Sequence, residues 1–221
     1  MLPVELPTLA VRRAARLRRW LIAVGVVTWT VAVGHGFSTL FVYGNAPGAP
    51  SSPPERWPAD VELALACDRP TMLLFAHPRC PCTRATIAEL DRLVAASGAG
   101  VDVTVLFYAD ERLGERWART ELWQHAARIP GVRVVEDGHG VVAAAFAART
   151  SGAVVVYGPD GRLCFHGGLT ASRGHEGDNA GVAAVAALAT ANECSTCTTP
   201  VFGCALVEVV DDAERDQEQR P

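Results

Sequence analysis

Residues 75–85 read FAHPRCPCTRA and join the first long apolar stretch of the domain to its first amphipathic stretch. The stretch before them, residues 71–76 (TMLLFA), is short and apolar, which is typical of a buried strand. The stretch after them, residues 81–97, repeats apolar side chains at helical spacing. Pro81 suits the first position of that helix, where its missing N–H would have no partner in any case. The sequence therefore predicts a strand-to-helix turn with Cys80 as the N-cap.

Two cysteines at the start of a helix are well placed to react. The free backbone N–H groups of Cys82 and Thr83, together with the helix dipole, favour a thiolate on Cys80. His77 and Arg79 add positive potential beside it. Disulfide exchange requires a partly exposed thiolate of low pKa. We predict that Cys80 attacks, and that Cys82 or a third cysteine resolves the mixed disulfide.

The single residue between the cysteines has a geometric consequence. Side chains at positions i and i+2 of a helix point to nearly opposite sides, so their Cβ vectors are poorly aimed for a disulfide. A Cys80–Cys82 bond would strain the helix start and be easily reduced. Metal binding is the alternative, because His77, Cys80 and Cys82 are three closely spaced donors suited to Cu(I) or Zn(II). The primary prediction has no cofactor, and copper is kept as the alternative.

Helical and strand-like patterns alternate over residues 60–190. The predicted order is helix 60–66, strand 71–76, helix 81–97, strand 101–108, helix 111–128, strand 132–135, helix 140–149, a hairpin of 153–157 and 162–166, and a helix to about residue 190 capped by Asp178. This order predicts an α/β domain of thioredoxin-like fold, with a central mixed sheet flanked by helices.

Four strings carry a resemblance to a known family: LFAHPRCPCTRATIAEL, EDGHGVVAAAFAAR, VVVYGPDGRLCFHGGLTASRGHEGDNAG and TPVFGC. They resemble the membrane-anchored proteins often labelled RedB, a branch of the thioredoxin/peroxiredoxin-like superfamily. The resemblance covers residues 60–205, and the HPxCPC and GGxTxSRGHxGDNxG strings are its specific parts. It implies a thioredoxin fold and redox activity, and it identifies no substrate.

Two departures from the better-known relatives bear on the chemistry. Thioredoxins separate their cysteines by two residues and carry a cis-proline opposite them, whereas residues 150–152 contain no proline. Peroxiredoxins usually have Thr three residues before the reactive cysteine, where this chain has His77. We therefore expect thiol–disulfide exchange rather than peroxidase activity.

A polar loop, residues 167–181, follows the predicted hairpin. In a thioredoxin-like fold this loop lies on the side where the motif helix begins, near Cys80. Arg173 is predicted to stabilise a thiolate or bind an anionic substrate. His175 is predicted to relay a proton or ligate a metal. The alternative is that the loop only turns and caps the following helix.

The carboxyl end holds three further cysteines. In an oxidising compartment we expect a structural disulfide among Cys194, Cys197 and Cys204. One of them would stay unpaired, and Cys204 could return to the active face as a resolving thiol. Cys67 and Cys164 lie in or beside apolar stretches, so both are predicted to be buried. The alternative for Cys164 is that it pairs with another cysteine elsewhere in the chain. With seven cysteines in total, at least one lies outside any closed set of intrachain bonds.

The amino end predicts a membrane anchor. Five arginines precede an uncharged apolar run, and about 20 residues suffice to cross the hydrocarbon core as a helix. The positive-inside rule places the arginines in the cytoplasm and the domain on the periplasmic, extracytoplasmic side. A cleaved signal peptide is the competing interpretation. The predicted segments are a basic N-terminus 1–19, a transmembrane helix 20–43, a proline-rich linker 44–59, the domain 60–190, and an extension 191–221 with an acidic tail.

Charge excludes one class of partner. Residues 57–221 contain fourteen arginines against 22 acidic residues, so the domain repels phosphate backbones and no nucleic-acid partner is expected. The expected partners are protein thiols or disulfides, or a membrane redox protein. The sequence thus predicts a membrane-anchored thiol–disulfide oxidoreductase. The alternative is a copper-binding or assembly factor of the same fold.

Overall fold

The structure, a computed structural model, describes residues 9–98, 100–114, 116–191 and 197–207. The chain divides into two compact units, Met1–Gly44 and Asn45–Pro221. The described part of the first unit is helical throughout, and the second unit holds the sheet and all the cysteines.

The first helix, α1, runs from Leu9 to Asn45. Its apolar part, Arg12–Asn45, reaches a mean hydropathy of 1.6 with none of that stretch buried. At about 1.5 Å per residue such a helix exceeds the thickness of a bilayer core. Its length and composition fit a membrane span, and they fit an N-terminal signal sequence equally well.

One six-stranded mixed sheet organises the second unit, in the order β3-β2-β1-β4-β5-β6. The central strand β1 pairs in parallel with β2 and antiparallel with β4, and every residue of β1 is buried. The strands are β1 Thr71–Ala76, β2 Asp102–Ala109, β3 Val132–Gly138, β4 Ala153–Tyr157, β5 Leu163–Gly167 and β6 Cys197–Thr198.

Helices cover both faces of the sheet. Because side chains alternate along a strand, Met72 and Leu74 enter one core cluster while Leu73 and Phe75 enter the other. The first cluster contains side chains of α2, α3 and α5, and the second contains Ala143 of α4. The helices are α2 Thr83–Ser97, α3 Glu121–Arg128, α4 Val141–Ala145 and α5 Ala180–Ala191. This arrangement confirms the predicted thioredoxin-like fold.

Two predicted helices are wrong in whole or part. Residues 60–66 form turns and bends instead. The side chains that pack on the second core cluster lie at alternate positions, as in an extended chain: Val61, Leu63 and Leu65. The predicted helix 111–128 is interrupted after a short 3₁₀ turn by Gly114, whose φ is +96°. Only its last part, α3, is α-helical.

Two helix ends also differ from prediction. The helix predicted over 140–149 is shortened to α4, and Ala147 just beyond it has a left-handed φ of 51°. The cap of α5 is Asn179, whose Oδ1 accepts the N–H of Val182 at 2.9 Å, and not the exposed Asp178. An amide oxygen one residue nearer the helix therefore performs the capping role.

The proline-rich segment, residues 45–59, packs on the domain instead of standing apart from it. The N–H of Gly48 donates to Val201 O at 2.8 Å, and the hydroxyl of Tyr157 donates to Pro54 O at 2.8 Å. Backbone carbonyls of an extended, proline-rich chain remain available as acceptors. The compact unit accordingly begins at Asn45 and not at the predicted residue 60.

Candidate active site

A tight turn links β1 to α2 and carries the first two cysteines. The N–H of Thr83 donates to Cys80 O at 3.2 Å, and that of Arg84 donates to Pro81 O at 3.3 Å. Bonds that span three residues are tighter than those of an α-helix. The α-helix proper therefore starts two residues later than predicted, with Cys82 rather than Cys80 at the N-cap position.

Three sulfur atoms meet beside this turn. The Sγ atoms of Cys80, Cys82 and Cys204 all lie within 4.8 Å of one another, and all three residues are free cysteines. Cys80 is only 1% exposed, so the predicted partial exposure is wrong, whereas Cys82 and Cys204 are half-buried. The third sulfur comes from the carboxyl-terminal segment, far away in sequence. We call these three residues the sulfur cluster.

The segment that delivers Cys204 runs antiparallel to the chain just before β4. The N–H of Ser151 donates to Cys204 O at 2.9 Å, and the N–H of Leu206 donates to Arg149 O at 2.8 Å. Gly203 is required by this contact, because a Cβ there would overlap the carbonyl oxygen of Ser151. The position of the third sulfur is thus held by backbone hydrogen bonds at Cys204 itself and at Leu206.

A chain of hydrogen bonds ends at Cys80. The N–H of His77 donates to Ser151 Oγ at 2.7 Å, and Ser151 Oγ lies 2.7 Å from Thr83 Oγ1. The side chain of Thr83 hydrogen-bonds Cys80. When Cys80 is a thiolate it accepts from Thr83, so Ser151 donates to Thr83. Ser151 lies where thioredoxins have their cis-proline, and no cis peptide bond occurs in the described residues.

These contacts give the three cysteines of the sulfur cluster different pKa values. Burial alone would raise the pKa of Cys80, but hydrogen bonds from the Thr83 side chain and from Cys204 outweigh it and lower that pKa to about 7. Burial and the adjacent Cys80 charge raise the pKa of Cys82. Burial and the hydrogen bond to Cys80 raise the pKa of Cys204 to about 12. Cys80 is therefore the first of the three to lose its proton as the pH rises through neutrality.

Arg173 lies beside the sulfur cluster. Its guanidinium donates to Gly203 O at 2.5 Å and to Ala46 O at 3.2 Å, and its hydrogen bond and charge favour the thiolate form of Cys82. His175, by contrast, is exposed and outside the cluster of potential ligands found among the described residues. Of the two loop residues singled out from the sequence, only Arg173 is brought to the sulfurs.

His77 and Arg79 belong to an aromatic group next to the turn. The His77 ring stacks on Tyr108 with centroids 6.2 Å apart and meets Trp117 edge-on at 5.3 Å. Its Nδ1 accepts the N–H of Arg79, whose guanidinium lies 5.4 Å from the Trp117 ring centre. In the described part of the chain the group of potential metal ligands contains Cys204 where the sequence had suggested His77.

The remaining cysteines are placed differently from expectation. Cys67 is exposed, so its predicted burial is wrong, because it lies in the irregular loop before β1. Cys164 is buried and disulfide-bonded. Cys197, which is exposed, and Cys204 are both free thiols. The predicted disulfide among the tail cysteines is therefore wrong. Cys194 lies outside the described residues.

Three contributors to the site were not singled out from the sequence: the side-chain hydroxyl of Thr83, Ser151 and Gly203. The string TPVFGC contained one usable signal, since a glycine directly before a cysteine permits close backbone approach. Nothing local distinguishes Ser151 or Thr83 from other hydroxyl residues, because their roles depend on contacts across the fold.

The chain has relatives in structure but no match in the other comparisons. No protein-family model and no curated protein matches it. A crystal structure of an uncharacterised conserved protein from Geobacillus kaustophilus is 19% identical with a TM-score of 0.53, covering 73% of this chain and 92% of that one. A hypothetical protein from Sinorhizobium meliloti is 21% identical with a TM-score of 0.51, covering 63% and 80%.

A third neighbour has a named activity, but its structure is less similar to this chain. It is a secreted disulfide oxidoreductase of Mycobacterium tuberculosis homologous to Escherichia coli DsbE, 18% identical with a TM-score of 0.39, and the match covers 56% of this chain and 81% of that one. At such identities the first two neighbours show a shared fold and nothing further.

Proposed function

We propose that this protein performs thiol–disulfide exchange on cysteines of other proteins at the extracytoplasmic face of a membrane, tethered there by α1. The observation that carries the proposal is the sulfur cluster itself, with three free cysteine sulfurs within 4.8 Å of one another at the start of a helix. The resemblance of the HPxCPC and GGxTxSRGHxGDNxG strings to RedB-labelled proteins supports the same chemistry.

Cys80 is the attacking residue in this proposal. Because Cys80 is only 1% exposed, a substrate disulfide reaches its sulfur only after a local movement uncovers it. The Cys80 thiolate attacks one sulfur of a substrate disulfide, forms a mixed disulfide, and releases the other substrate sulfur as a thiolate that takes up a proton. The lowered pKa, about 7, keeps the nucleophile available near neutral pH. Arg173 supplies the adjacent positive charge that stabilises anionic sulfur during exchange.

Cys204 is the resolving residue. It attacks the Cys80 sulfur, expels the second substrate thiolate, and leaves a Cys80–Cys204 disulfide, so the substrate gains the two electrons that the protein loses. Formation of the mixed disulfide removes the Cys80 charge and hydrogen bond, both of which raise the pKa of Cys204. The resolving thiol is thereby made easier to deprotonate at the step that needs it. Cys82 is less suited, because its one-residue spacing from Cys80 strains a direct bond.

A second thiol partner closes the cycle. A dithiol of a membrane or soluble redox protein reduces the Cys80–Cys204 disulfide by the same exchange in reverse, becoming oxidised itself. The reversed sequence would oxidise substrate dithiols, and the relative reduction potentials of the two partners set the direction.

Trapping of mixed disulfides tests these assignments. Full-length protein, reduced and kept in a metal chelator, is mixed with a peptide disulfide, quenched with acid and mapped by mass spectrometry. Cys204→Ser is expected to accumulate a mixed disulfide at Cys80, and Cys82→Ser to turn over like the exposed-cysteine control Cys67→Ser. Mixed disulfide on Cys82 of a Cys80→Ser variant at the wild-type yield would refute the proposal.

A further inference from the structure

The sulfur cluster is also a complete donor set for a soft metal ion. Cys80, Cys82 and Cys204 each offer one sulfur, and in the described residues no His, Asp or Glu joins the three within ligand range. Thiolate ligands without hard oxygen donors select soft ions such as Cu(I) over Mg(II), Ca(II) or Mn(II). The chemistry of the donor set thus points to one class of ion.

The spacing of the sulfurs suits trigonal coordination. Metal–thiolate bonds of about 2.3 Å place the three sulfurs of a planar trigonal site about 4 Å apart. The observed separations are all 4.8 Å or less, so closure around an ion requires shifts of under about one ångström. Rotation about the Cα–Cβ bonds provides shifts of that size without moving the backbone.

The surroundings hold this donor set together. Cys80 is fixed by the turn that precedes α2, and the backbone of Cys204 and Leu206 is hydrogen-bonded to the chain before β4. The guanidinium of Arg173 binds Gly203 O and contacts Cys82, so a positive charge lies next to sulfurs that become anionic on coordination. One Cu(I) with three thiolates carries net negative charge, which this guanidinium partly offsets.

We infer that reduced protein binds one Cu(I) ion through the sulfurs of Cys80, Cys82 and Cys204. Zn(II) fits less well, because structural zinc sites take four ligands and the described residues bring only three together here. Binding replaces the protons of the thiols with Cu–S bonds and releases them to solvent, and no electron is transferred. The inference does not depend on the proposed exchange activity, although a bound ion would occupy the attacking thiolate.

Competition for Cu(I) tests the inference on the full-length protein. Reduced protein in detergent is titrated, without oxygen, into a solution of Cu(I) and a chromophoric chelator such as bathocuproine disulfonate. Wild type is expected to remove one equivalent of Cu(I) from the chelator. Cys204→Ser and Cys82→Ser are each expected to weaken Cu(I) binding by at least about a hundredfold. Loss of an outer-shell partner weakens metal binding by up to about a hundredfold, and loss of a direct ligand should weaken it at least as much.

Two variants serve as controls. Cys67→Ser and Cys197→Ser change exposed free thiols outside the cluster, and both are expected to bind like wild type. A third variant, His77→Ala, removes the ligand first suggested by the sequence and is expected to retain one equivalent of Cu(I). X-ray absorption at the copper edge is expected to show three sulfur neighbours, and near-ultraviolet circular dichroism checks that each variant is folded.

Several results would overturn the inference. Wild-type affinity in a folded Cys204→Ser variant would do so, as would loss of binding in His77→Ala with retention in Cys204→Ser. Failure of wild type to compete for Cu(I) would also do so. Because the trapping experiment above is performed in chelator, exchange activity without copper binding would remove only this inference, and copper binding without exchange would remove only the proposed function.

Discussion

The side-chain hydroxyl of Thr83 stabilises the Cys80 thiolate more than any backbone N–H does. Among the groups that lower the pKa of Cys80, the side chain of Thr83 has the largest effect, ahead of its backbone N–H at the start of α2. The Thr83 hydroxyl is in turn oriented by Ser151, which accepts the N–H of His77. A buried donor held by a second hydrogen bond loses little entropy when it binds the thiolate, so its effect is large.

Removal of this hydroxyl is expected to raise the pKa of Cys80. Thr83→Val keeps the shape of the side chain but removes the donor, and a hydrogen bond to a charged group is worth enough to shift that pKa upward by about one unit. Less thiolate is then present at neutral pH, so alkylation of Cys80 slows there and its midpoint moves to higher pH. The measurement is the pH dependence of Cys80 alkylation by iodoacetamide, in a Cys82→Ser background.

Thr86→Val is the matched control for that measurement. Thr86 is also a buried threonine of α2, and it does not contribute to the pKa of Cys80. The control is expected to leave the alkylation midpoint unchanged. An unchanged midpoint in Thr83→Val would show that the hydroxyl does not set the reactivity of Cys80.

At the scale of elements, the carboxyl-terminal segment determines whether the sulfur cluster has its third cysteine. Residues 203–206 complete the sulfur cluster only because they lie along residues 149–151, where Gly203 allows the two backbones to meet. The covalent chain before them does not impose this contact. The resolving role proposed for Cys204 therefore depends on backbone docking, and disturbance of the docking should act on it selectively.

Gly203→Ala is expected to displace this segment. The new Cβ would overlap the carbonyl oxygen of Ser151, a backbone atom that cannot rotate away. Most of the Cys80–Cys204 disulfide formed after oxidation by a peptide disulfide should then be lost, as measured by peptide mapping under non-reducing conditions. Gly138→Ala is the control, because nothing lies within 4 Å of its Cβ position and its φ is not left-handed. Equal disulfide yields in the two variants would contradict the role of docking.

The elements differ in how far the sequence predicted them, for physical reasons. β1 and the turn after it were predictable, because a buried strand and a Pro-Cys helix start are encoded by neighbouring residues. The placement of Cys204 beside Cys80 and the role of Ser151 could not be settled from the sequence, since both depend on contacts between segments distant in the chain. The predicted helix over 111–128 failed at Gly114, where a left-handed φ overrides local helical propensity.

At the scale of the whole molecule, charge and exposed apolar surface are distributed unevenly between the two units. The helix α1 presents large exposed apolar side chains along its length, whereas those of the second unit are mostly buried in two cores. Five arginines lie at the start of α1, and the second unit is acidic. This asymmetry favours a domain held at the outer face of a membrane. Thiol exchange there would act on disulfides that persist outside the cytoplasm.

Cysteine accessibility in intact cells tests this orientation. Cys67 is an exposed free thiol of the second unit, and a membrane-impermeant maleimide is expected to label it in bacterial spheroplasts without lysis, in a Cys197→Ser background. The control Ala14→Cys, combined with Cys67→Ser, places a thiol among the arginines and should be labelled only after lysis. Retention of the chain in alkali-washed membranes, with an intact mass that includes residues 1–44, is expected from an uncleaved anchor. A mass lacking those residues would identify α1 as a cleaved signal sequence, and labelling of Ala14→Cys before lysis would reverse the orientation.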